Sequence, residues 1–204
     1  MGRVFVDTNV LFPFSVMDVM LALTEDGVHE VLWSQALLAE WERVIVREQR
    51  RSAAAAAAIT AAIRECFAEG EVPESAYAHL VAQMPGGDPD DRIHMAAAIA
   101  GGAEAIITWN QADFPAGPLA DHGVRVCRPD EYLCGLLESW PGGVVATVVR
   151  LASEKRRPSM TVADLTGLLT KAGVPDFAER LHTLVADDDP RQGGADDRPG
   201  SHRL

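Results

Sequence analysis

An α/β sandwich in three layers is predicted, with a short parallel sheet covered by helices on both faces and a small helical appendage behind it. Three observations predict it. Apolar runs of strand length alternate with segments of helix length up to about residue 134. The first run, RVFVD (3–7), carries the unbroken apolar stretch VFV directly before its acid, as a strand buried on both faces should. After about Gly135 the pattern changes to helices joined by polar loops.

The elements follow in order. RVFVD (3–7) reads as a strand, Val16 to Leu23 as a helix, and His29 to Trp33 as a second short strand. A helical stretch runs from about Gln35, through the alanines 53–58, to about Glu69, as one helix or two. Glu74 to Gln83 is a further helix, and the breaker PGGDP (85–89) separates it from a helix spanning Pro89 to about Ala100. EAIITW (104–109) and VRVCR (124–128) are strands, and a helix begins at Pro129. In SMTVADLTGLL (159–169), Thr161 is placed to cap a helix, with Asp164 three residues on. From Asp187 the run DDDPRQGGADDRPGSHRL is too polar and too rich in Gly and Pro to bury a core. The reading is therefore a main unit over 1–134, a helical appendage over 135–186 and a disordered tail over 187–204.

With 204 residues, 48% of them hydrophobic, the chain is long enough for one core plus a small added unit. No apolar run reaches the roughly 20 residues of a membrane span. The N-terminus, MGRVFVDTNV, lacks the basic, apolar and small-residue order of a signal peptide. Cys66, Cys127 and Cys134 are odd in number, widely spaced and without a CxxC pair, which suits a reducing cytoplasm. The net charge is −12, of which 187–204 carries only −2. Phosphate binding usually leaves a basic footprint, so a nucleic-acid partner would have to be met by local arginines or bound cations.

Four acids stand out. Asp7 ends the first strand, Glu40 lies on the helix LLAEWERVI, Asp91 opens the helix DRIHMAAAIA, and Asp113 sits in the loop TWNQADF. In parallel sheets, sites form beyond the carboxyl ends of the strands, where Asp7, Thr108, Asn110 and Asp113 all fall. If the four acids converge, they share a cleft with no matching buried base, and they cannot all stay ionised without a cation. An all-oxygen set selects a hard ion, magnesium or manganese. Taken singly, each acid also has an ordinary explanation. Asp88-Pro89-Asp90-Asp91 is a good helix start in itself, Glu40 fits a solvated helix face, and Asp113 fits a turn.

The stretches VDTNVLFP (6–13), LWSQALLAEWERV (32–44), DPDDRIHMAAAIAGGAEAIITWNQADFP (88–115) and RPDEYL (128–133) together resemble the PIN-domain family. Within it they are most similar to the ribonuclease toxins of VapBC-type modules. RRPSMTVADLTGLLTKAGVPDFAERL (156–181) looks like an appendage behind a subset of those toxins. The resemblance implies RNA cleavage dependent on Mg2+ or Mn2+, with Asp7, Glu40, Asp91 and Asp113 as catalytic and metal-holding acids. Thr8, Asn9, Thr108 and Asn110 would support them. It also implies a homodimer and a cognate antitoxin, for which Phe12 and Phe14 would offer an apolar groove. A PIN-like module that binds RNA or protein without cutting fits the same residues, as does a structure-specific DNA nuclease.

Two positions depart from the family pattern. His94 is separated from Arg92 by Ile93 where relatives run Arg-His; it is read as a helix histidine with a local partner and assigned no catalytic part. Met17 stands where relatives carry an arginine. Arg43, Arg47, Arg50 and Arg51 share one helical face if the helix runs on. They form either an RNA phosphate track or a solvated face paired with Glu42 and Glu48. Other chemistries are excluded by missing motifs. There is no GxxxxGK[ST], GxSxG or HExxH, and the lysines, Lys155 and Lys171, are not placed as a receiver domain needs.

Overall fold

Val4, Phe5 and Val6 are each no more than 1% exposed. Successive strand residues point to opposite faces, so this first strand is covered on both sides. In the computed structural model, which describes residues 2–155 and 159–187, it is β1 (Gly2–Val6). Parallel pairing joins it to β2 (His29–Leu32) on one side and β3 (Ala105–Ile107) on the other. β4 (Arg125–Cys127) pairs with β3, giving the sheet order β2-β1-β3-β4. The chain steps from β1 to one side and returns on the other, so the order reverses between β1 and β3. That is where a crevice opens at the carboxyl ends of the strands.

The helices that shape this crevice are α1 (Phe14–Glu25), α2 (Gln35–Arg47), α3 (Ala53–Cys66), α4 (Glu74–Val81) and α5 (Pro89–Ala100). α5 packs against β1 and β3, and α1 against β2. Ser34 caps α2 by accepting from the Leu37 amide at 3.1 Å. Asp88 caps α5 by accepting from the Asp90 amide at 2.9 Å, with Pro89 at the first turn, as read from the sequence. The predicted stretch from Gln35 to Glu69 is two helices. α2 stops at Arg47, Gln49 adopts a left-handed φ of 55°, and Ser52 caps α3. Gly70 lies so close to β2 that a Cβ would strike the Val31 carbonyl. This approach lets the Trp33 amide donate to Gly70 O at 2.9 Å, closing that end of the sheet.

A short helix α6 (Ala116–Ala120), not foreseen in the sequence, connects β3 to β4. Then follow α7 (Pro129–Ser139), α8 (Pro141–Glu154), α9 (Val162–Lys171) and α10 (Pro175–Asp187). Thr161 and Asp164 form the expected reciprocal capping box of α9. The sequence boundary at 134/135 falls inside α7, which is continuous through it. The Asp130 carboxylate accepts from the amides of Asp176 and Phe177, at 3.2 and 2.9 Å, tying the start of α7 to the start of α10. Arg150 on α8 bridges Glu25 and Asp26 at the end of α1. The tail read as disordered, apart from Asp187, lies outside the described residues. No single described helix is long and apolar enough to cross a membrane.

Candidate active site

β1 and β3 end side by side, with Val6 opposite Ile107, so the next residues, Asp7 and Thr108, are neighbours. The Asp7 amide continues the ladder to Ile107 O at 2.9 Å. The Asp7 carboxylate is 6% exposed and held from two directions. Thr108 Oγ1 donates to Asp7 Oδ2 at 2.7 Å, and Asn9 Nδ2 donates to the same oxygen at 2.5 Å. Asn9 is fixed in turn by the Trp109 amide, which donates to its Oδ1 at 3.2 Å. Thr8, buried, donates to Glu40 Oε2 at 2.6 Å. Asn110 Nδ2 donates to the Asp113 carboxylate, fixing that acid in its loop. Each of the four supporting residues thus orients an acid or another supporter.

Asp7, Glu40, Asp91 and Asp113 all line one cleft of about 640 Å3. Its remaining wall includes Phe12, Pro13, Val44, Glu48, Trp109 and Ala172, the last from the turn after α9. Crowding is visible in Asp91. Burial, then the charges of Asp88, Asp113 and Asp7, push its carboxyl up to about 6, against the pull of His94.

The expectation of an acid cluster with no buried base is corrected by His94. This ring is 1% exposed and stands between two of the acids. Its Nε2 lies 3.2 Å from Glu40 Oε2 and its Nδ1 3.5 Å from Asp7 Oδ1. The second contact does not meet hydrogen-bond geometry and is an ion-pair contact. Burial works to lower the His94 pKa, but Asp7 and Glu40 outweigh it and raise it to about 9. Glu40 shows the reciprocal effect. Burial would raise its pKa, yet the hydrogen bonds of His94 and Thr8 and the charges of His94 and Arg43 hold it below the usual range. The signal for His94 was in the sequence: it is three residues after Asp91 on α5, one turn along the same face.

The arginines do not form one helical row. Arg50 and Arg51 lie beyond the end of α2, with their guanidiniums over the rings of Phe12 (5.3 Å) and Phe14 (4.0 Å). Arg43 pairs with Asp90 and Arg47 with Glu48, each at 3.2 Å and largely exposed. Glu42 instead meets Arg64 and Thr60. α2 and the residue that caps its end show Glu40, Val44 and Glu48 to the cleft rather than an arginine. Lys155 is engaged with Asp18 at 2.6 Å.

Among the described residues, no three acid or histidine side chains form a ready-made cage for a metal. Magnesium does not need one: it commonly takes one or two carboxylates and keeps water, or substrate phosphate, for the rest of its shell. Four carboxylates gathered at one polar cleft fit that kind of ion.

A sheet of this order with acids converging at its switch point defines a class. The family model described as PIN domain matches residues 3–112, over half the chain, and the chain belongs to the PIN-domain family. A second model, described as VapC50 C-terminal domain, matches residues 129–183, which begins at the first residue of α7. Among curated proteins, the chain is similar to VapC50 of Mycobacterium tuberculosis (strain ATCC 25618 / H37Rv), named there as a candidate ribonuclease. The two are 28% identical over 100 residues, covering 49% of this chain and 59% of that relative. The match therefore spans less than two thirds of the relative's length. No solved structure matches the chain.

Proposed function

We propose that the chain is a magnesium- or manganese-dependent endoribonuclease acting in the cytoplasm, the toxin of a toxin–antitoxin pair. The observation that carries this reading is the meeting of Asp7, Glu40, Asp91 and Asp113 in one cleft. The name of the similar mycobacterial protein supports the substrate class. Asp7 and Asp91 would hold the ion, with Glu40 and Asp113 beside it. Bound there, such an ion activates water and stabilises the oxygens of an in-line displacement at phosphorus. The chain's own part is orientation. Thr108 and Asn9 aim Asp7, Thr8 aims Glu40, and Asn110 holds Asp113. A ribonuclease that uses the 2′-oxygen often relies on two histidines as acid and base; among the described residues lining this cleft there is no histidine.

A homodimer and a cognate antitoxin belong to the same proposal on the strength of the family resemblance. The apolar surface offered to the antitoxin is narrower than Phe12 and Phe14 suggest, because Arg50 and Arg51 cover their faces. One observation favours a second reading, a module that binds without cutting: His94 already supplies a positive charge to two of the four acids.

The deciding experiment is cleavage of total RNA, and of DNA, with magnesium and with excess chelator. The expected products carry a 5′-phosphate and a 3′-hydroxyl. Asp7→Asn and Asp91→Asn should each lower cleavage by about 100-fold or more, the scale for removing one preorganised electrostatic group. Full activity in chelator, or 2′,3′-cyclic phosphate ends, would rule out the metal route. RNA binding without any cleavage would establish the second reading.

A further inference from the structure

Trp109 stands directly after Thr108 at the end of β3, and its side chain lines two cavities. One is the acid cleft. The other, of about 720 Å3, lies between the nuclease unit and the C-terminal helices, and is bordered by Arg125, Arg128, Glu131 and Asp176 among others. Such a volume is in the range of small-ligand sites.

The ring is positioned from the far side by the C-terminal helices. Gly173, in the turn between α9 and α10, lies over one face of the indole, at the rim of its six-membered ring. A Cβ there would come within 3.1 Å of Trp109 Cη2, and its φ of 99° is one that residues with a Cβ rarely adopt. The neighbouring Ala172 reaches the wall of the acid cleft itself.

The second cavity holds a particular mixture of charges. Asp130 is occupied in capping α10, and Glu138 is paired with Arg180. Arg125, Arg128, Glu131 and Asp176 make no side-chain hydrogen bond or ion pair among the described residues. A phosphate presents acceptors alone and could use the arginines but not the two carboxylates. The edge of a nucleobase presents donors and acceptors together, and its face stacks on an aromatic ring.

We propose that this cavity is a nucleobase subsite: a base unstacked from a single RNA strand beside the acid cleft lies on Trp109, with its edge toward Arg128, Glu131 and Asp176. The C-terminal helices are then part of the substrate site and not an inert appendage. The inference rests on RNA being the substrate.

The test measures binding by the full chain carrying Asp7→Asn, so that cleavage is blocked. The probes are short single-stranded RNAs in which each base in turn is varied or removed to leave an abasic sugar. One position is expected to lose about 10-fold in affinity when abasic, within the range for a stacked base. Trp109→Ala should erase that difference, whereas Trp109→Phe, which keeps an aromatic face and guards against a folding defect, should retain most of it. Arg128→Ala should keep the loss at the abasic position but flatten the choice among the four bases. Equal binding of abasic and intact RNA at every position, or discrimination untouched by Trp109→Ala, would overturn the proposal. If the wild-type chain shows Trp109-dependent discrimination yet leaves RNA uncut, the nuclease reading fails and the subsite stands.

Discussion

His29 is 0% exposed in the seam between β2, α1 and α7, and His94 is 1% exposed behind two acids of the cleft, Asp7 and Glu40. Burial alone would make both rings neutral. His29 obeys. Its Nε2 donates to the Met20 carbonyl at 2.8 Å and its Nδ1 accepts from the Tyr132 hydroxyl at 2.7 Å, and burial pushes its pKa down to about 4 despite the carbonyl's opposing pull. His94 is raised to about 9, because two carboxylates face it where His29 has a carbonyl and a phenol. Equal burial thus gives opposite charge states, and the partners decide. One histidine seals a structural seam; the other balances a site.

The largest test of that contrast removes the cation. With His94→Gln, Asp7 and Glu40 lose their buried positive partner. In chelator the chain should lose about 3–5 kcal/mol of stability, the scale for breaking a buried pair. Added magnesium should restore part of the loss if these acids hold an ion. Urea denaturation with and without the ion reads both effects; an unchanged midpoint in chelator would break the comparison.

A second test uses pH, and the two rings act in opposite windows. The folded pKa of His29 lies below its unfolded value of 6.5, so its contribution is full above pH 6.5 and is lost as pH falls toward 4. The loss is about 3 kcal/mol, from 1.36 kcal/mol per pKa unit. Asp91 opposes this in part, since its raised carboxyl takes up a proton first in the folded chain. His94, raised, contributes fully below pH 6.5, and that contribution is lost as pH rises through 9 in chelator. Denaturation midpoints from pH 4 to 9 should therefore fall at both ends. A flat alkaline limb would remove His94 from the account.

The smallest effect concerns exposed charge. Arg47→Glu with Arg50→Glu should leave stability nearly unchanged, because exposed pairs contribute about 0–1 kcal/mol. If these arginines touch RNA phosphates, the slope of log affinity against log salt should flatten by roughly 1 for each phosphate no longer neutralised. An unchanged slope would leave them as a solvated surface.

Much of this arrangement was legible before folding. Continuous apolar runs marked β1 and β3, and an acid at the end of one and polar residues at the end of the other marked the crevice. The Asp88-Pro89 start placed α5 to the residue. What was missed has physical reasons. His94 looked ordinary because its partners, Asp7 and Glu40, come from other elements, distant in sequence. The arginine row assumed a helix that continues, although Ser52 before an alanine run was a readable new start. Trp109 gave no sign of its place because the glycine that abuts it is far along the chain.

The α7 helix runs unbroken through the junction of the two units, with Tyr132 pinned to His29 at one place and Asp130 pinned to α10 at another. A linker would tolerate a change in length; a helix does not. Each residue added to or removed from a helix turns everything after it by about 100° and moves it about 1.5 Å along the axis. One insertion in α7 would swing α8 to α10 about the junction and carry Gly173 away from the indole it abuts. The number of residues between Pro129 and Ser139 is therefore under the same constraint as the identity of the acids: both determine what lines the cleft.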